Sequence, residues 1–174
     1  MLKVVGTCEA SEFPSNVDFD EHVPVRFRSH SGPIGGARYI RLGNLSTSLL
    51  ELRVPSESMA LRSFSLTLID RVSTKKLCGN AEFEYGLPVL ELPEGSVFQG
   101  PISAQRADIK EEISAYLDLD GFVISIGEVV DYDRALKHGR ISFFISNDAL
   151  IGICIAELRS DERGLAASYL GSLA

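Results

Sequence analysis

The chain has 174 residues, a net charge of −7 and an apolar fraction of 45%. A chain of this size buries roughly 70% of its unfolded surface, which excludes wholesale disorder and any need for a disulfide or metal staple. The longest apolar run, Ala149 to Ala156, is far short of the roughly 18 residues of a membrane helix, and the opening Met1-Leu2-Lys3-Val4-Val5-Gly6 lacks the apolar core of an export signal.

Residues 3–8 open the chain as a candidate strand. The acidic stretch Asp18-Phe19-Asp20-Glu21-His22 follows. Its ligand-type side chains do not fall at zinc spacing, so it is read as surface and no metal is expected. Val23, Val25 and Phe27 then alternate with Pro24, Arg26 and Arg28. Leu50, Leu52 and Val54 alternate with Leu49, Glu51 and Arg53, and Phe64, Leu66 and Leu68 with Ser63, Ser65 and Thr67. Successive strand side chains point to opposite faces, so each run predicts one buried and one wet face. Residues 38–42, 81–85 and 89–92 are further strands. The Gly-rich Ser31-Gly32-Pro33-Ile34-Gly35-Gly36 lacks the Gly-Lys-Ser/Thr of a phosphate loop and reads as the turn of a hairpin.

In the second half, Ile109, Ile113, Tyr116 and Leu117 recur at i, i+4, i+7 and i+8, which predicts one amphipathic helix near 106–118. Asp118-Leu119-Asp120-Gly121 ends it with a turn; a calcium loop would need Glu at the twelfth position, where Val129 stands. Residues 122–130 read as a strand and 132–138 as a turn of helix. The runs 140–146 and 150–158 flank Asn147-Asp148, a pair that tolerates positive φ, and predict a C-terminal hairpin over 140–158, central in its sheet. Residues 160–174 read as an appendage, with a weakly patterned second helix over Glu162 to Leu173. The chain is expected to be a single domain, 1–174, whose weakest point lies near 93–101. Its class is mainly β, with α+β as the variant: an antiparallel β-sandwich or flattened barrel.

The charge is segregated along the chain. Residues 24–63 carry six basic side chains, all arginine (Arg26, Arg28, Arg38, Arg41, Arg53, Arg62), against Glu51 and Glu57. If 29–37 joins two strands as a hairpin, Arg26, Arg28, Tyr39 and Arg41 share one wet face. Arginine's planar fork grips carboxylate and phosphate bidentately, so this patch is the candidate anion or acidic-partner site. The plainer reading is a solvated face paired with the acidic N-terminal segment.

Catalytic signals are absent from the sequence. There is no Gly-x-Ser-x-Gly, and His22, His30 and His138 stand apart. Cys8, Cys78 and Cys154 are odd in number without CxxC spacing and read as core thiols. No cofactor motif occurs. The acidic balance, with pI about 5.0, argues against nucleic acid as a partner. The expected function is a cytoplasmic, non-enzymatic protein-interaction module, in the manner of an immunity or adaptor protein. The alternative is a small-molecule or anion-binding, or catalytic, β domain using the arginine-rich sheet face.

Overall fold

The computed structural model describes residues 1–9, 15–20, 22–29, 36–101, 104–119 and 121–172. In chain order the strands are β1 (Lys3–Cys8), β2 (Ser15–Asp18), β3 (Val25–Ser29), β4 (Ala37–Leu42), β5 (Leu49–Pro55), β6 (Ser63–Leu68), β7 (Cys78–Gly79) and β8 (Phe83–Tyr85). They continue as β9 (Leu87–Glu91), β10 (Gln105–Ile109), β11 (Ile113–Leu117), β12 (Gly121–Ile126), β13 (Asp131–Tyr132), β14 (Arg134–His138), β15 (Ile141–Ser146) and β16 (Ala149–Ala156). One helix, α1 (Ser160–Gly171), follows. The class is therefore mainly β, with curled sheets forming a half-barrel. No helix among the described residues is long and apolar enough to cross a membrane.

A six-stranded sheet runs β10-β4-β5-β6-β3-β2. The meander β4-β5-β6 returns beside the earlier β3, a Greek-key order. An eight-stranded sheet runs β11-β12-β16-β15-β14-β8, with β1 bridging β16 and β9. Most pairs are antiparallel; β10 on β4 and β14 on β8 are parallel. The predicted C-terminal hairpin is present. Asn147 and Asp148 take φ of 47° and 62°, the double positive φ that turns two right-twisted strands back on each other. Its strands β15 and β16 are central and almost wholly buried, as their two-sided apolarity requires.

One core cluster joins the two sheets. From the six-stranded sheet it takes Val17, Phe27, Phe64, Leu52 and Ile40, which lie in one cross-strand row. From the other it takes Leu136, Phe143, Ile153 and Ile124, again one row. Phe27 meets the His138 ring edge-on at 6.0 Å.

The helix expected near 106–118 does not form; β10 and β11 occupy it. Ala107 and Ile109 face the core while Arg106 and Asp108 face out, a period of two. β11 is covered on both sides, with Ile113 and Ala115 in the main core and Tyr116 in a second cluster with Val123 and Cys154. The apparent helical stripe is two half-strands joined at Lys110-Glu111-Glu112. Residues 132–138 likewise form β13 and β14 rather than a helical turn. The helix α1 is anchored: Glu162, Ala166 and Leu170 are buried, and the Tyr169 hydroxyl accepts from the Ile69 N–H at 3.2 Å.

Candidate functional site

The hairpin expected to align Arg26 and Arg28 with Tyr39 and Arg41 is absent. β3 is flanked by β2 and β6, and β4 by β10 and β5, so two strands separate them. Residues 31–35 of the expected turn, and His30, lie outside the described residues. All four side chains still share one face, because Greek-key order keeps β3 and β4 in the same sheet and their registers keep the parity.

Two outward-facing rows cross the sheet. The first reads Asp18, Arg26, Ser65, Glu51, Arg41, Asp108 on β2, β3, β6, β5, β4 and β10. The second reads Asn16, Arg28, Ser63, Arg53, Tyr39, Arg106 on the same strands. Five arginines thus stand on one sheet face with three carboxylates, two of which lie on the outermost strands.

Arg41 is not available as a free grip. Its Nε and Nη2 donate to the two Asp108 carboxylate oxygens at 2.7 and 2.6 Å, and this bond holds the guanidinium above its usual pKa. Asp108, on the neighbouring β10, is its clamp. Arg26, Arg28, Arg53 and Arg106 make no ion pair with any carboxylate among the described residues. The Arg53 Nε is buried without a hydrogen-bond partner, and its guanidinium carbon lies 5.9 Å from the Tyr39 ring centre. Arg26 stands opposite Asp18 on β2 and within electrostatic reach of Asp20, so the plainer reading keeps its hold on this one arginine.

The face is grooved. One depression of about 370 Å³ is lined by Arg26, Arg28, Arg53, Tyr39, Ser63 and Ser65. A second of about 340 Å³, lined by Tyr39, Glu51, Arg41 and Arg106, adjoins it across Tyr39 and Glu51. Arg53, Ser63, Ser65 and Arg106 were not among the residues singled out from sequence. The alternation of β5 and β6 already placed the first three on the wet face; Arg106 was hidden by the helical reading of its segment.

Other clusters offer less. A cleft of about 140 Å³ beside Arg71, Lys75, Ser114 and Ser125 is smaller, and its Arg71 is committed to Glu112 at 2.6 Å. His138 is buried, and desolvation, with the nearby Arg62 charge, pushes its pKa below the usual value. No three His, Cys, Asp or Glu side chains among the described residues converge to hold a metal. No protein-family model matches the chain, and no curated protein matches it.

Proposed function

We propose that this protein is a binding module that captures an acidic segment of a partner protein on the outer face of its six-stranded sheet. The observation that carries this reading is the set of four arginines, Arg26, Arg28, Arg53 and Arg106, displayed on one face with no close ion pair to a carboxylate among the described residues. Guanidinium groups carried on a rigid sheet can meet bidentate carboxylates, and the buried Arg53 Nε has a hydrogen bond to gain. The open shape of the grooves suits a chain laid across strands better than an enclosed metabolite. A cytoplasmic setting fits cysteines held as thiols rather than disulfides.

The test is fluorescence anisotropy with a labelled oligoglutamate peptide, comparing the unaltered protein with Arg28→Gln and Arg53→Gln. Each substitution is expected to weaken binding about threefold to thirtyfold, roughly 0.6–2 kcal/mol, the range of charge-assisted contacts that stay partly hydrated. Unchanged affinity in both variants overturns the reading. A thermal shift produced by small carboxylated or phosphorylated compounds, with no peptide binding, would favour a small anion in its place.

A further inference from the structure

Resting on the acidic-segment reading above, we infer that the ligand carries carboxylates at every third residue and crosses the strands in an extended, polyproline-II-like conformation. The second outward row alternates arginine with hydroxyl side chains: Arg28 on β3, Ser63 on β6, Arg53 on β5, Tyr39 on β4 and Arg106 on β10. Neighbouring strands lie about 4.8 Å apart, so the three arginines repeat at roughly 10 Å along a line perpendicular to the strands.

That repeat selects among peptide conformations. A β-strand brings side chains back to one face every second residue, at about 6.7 Å, which falls out of step with the arginines. A polyproline II segment returns every third residue to one face after about 9.3 Å, which keeps step over three positions. Seven residues with acidic side chains at the first, fourth and seventh positions span the row.

The first row sharpens the selection. Its centre is held by Glu51, opposite Arg41 on one side and Ser65 on the other. On β5, Glu51 and Arg53 share the outward face, so a carboxylate displaced from the Arg53 position toward the first row meets a like charge. Arg41, the nearest cation there, is already closed by Asp108. Glu51 thus stands between the closed Arg41 and the more distant Arg26, while three open arginines line the second row, and such a repulsive element is what turns general anion affinity into register specificity. The Tyr39 ring, packed beside Arg53, offers a flat apolar surface where the ligand's intervening residues pass.

The experiment titrates the full chain with two labelled seven-residue peptides of identical composition, each with three Glu, two Pro and two Ala. One places Glu at positions one, four and seven; the other places the three Glu together. Oligoglutamate and oligothymidylate serve as comparison ligands. The spaced peptide is expected to bind about tenfold tighter than the clustered one, about 1.4 kcal/mol. Arg53→Gln should erase that preference, and Arg106→Gln, on an edge strand where folding is least at risk, should halve it or more. Equal affinity for the two peptides overturns the register while leaving the acidic-segment reading intact. Failure of all three acidic peptides to bind, or tighter binding of oligothymidylate, overturns both.

Discussion

Glu162 shows how one ionised side chain holds an element in place. It is 1% exposed, yet its carboxylate accepts from Arg140 Nη1 and Nη2 at 2.7 and 2.6 Å and from the Arg159 backbone N–H at 3.0 Å. Burial alone would raise its pKa; the hydrogen bonds from Arg140 and the Arg159 backbone outweigh it and leave the carboxyl below its usual 4.5. A depressed folded-state pKa contributes stability that is present above the unfolded value and lost as pH falls through the folded one. Glu162→Ala is expected to cost about 2–3 kcal/mol at neutral pH, less than the 3–5 kcal/mol of a fully buried broken pair. The discount reflects Arg140, whose side chain keeps 22% exposure. Urea titrations at pH 7 and pH 3.5 check this: the difference between the two proteins should shrink in acid, as the unaltered protein begins to lose the same contribution.

At the scale of elements, close backbone approach decides more than side-chain pattern. Gly121 opens β12, and a Cβ there would stand 2.1 Å from the Ile155 carbonyl oxygen of β16. Gly121→Ala therefore forces two central strands apart and is expected to cost about 1–3 kcal/mol, the usual range for overpacking, read as a lower urea midpoint with unchanged slope. Much of the architecture is legible in the residues themselves. Phe27, Leu52 and Phe64 alternate cleanly because each has a wet partner on the other face, and Asn147-Asp148 announces its own turn. The segment 106–118 is misread for a physical reason: β11 is buried on both faces, so its period of two is masked, and Lys110-Glu111-Glu112 spaces the flanking isoleucines at a helical interval. The site is half legible. Parity assigns Arg26, Arg28, Tyr39 and Arg41 to wet faces, but the strand order that inserts Arg53 between them is a long-range choice that no local pattern encodes.

For the whole molecule, the arginine rows are a basic island on a chain of net charge −7. An acidic partner of the proposed kind would be repelled at a distance and held at contact. Raising the ionic strength from about 0.1 M to about 1 M shortens the screening length from about 10 Å to about 3 Å, which removes the distant repulsion before the contact attraction. Stopped-flow measurements with the spaced peptide should therefore show salt acting mainly by faster dissociation, with an association rate that holds steady or rises; a steep fall in association rate would contradict this. The ends of the chain add a constraint of a different kind. The Val4 N–H donates to the Asp148 carbonyl and the Leu150 N–H to the Leu2 carbonyl, at 2.7 and 2.9 Å, while β1 takes its long partner from β9. β1 thus waits for residues 87–91 before it can pair along its length. Its closure onto the turn at 147–148 comes later still, once residues 148 and 150 are in place. The eight-stranded sheet is therefore completed only after every strand from β1 to β16 has been made.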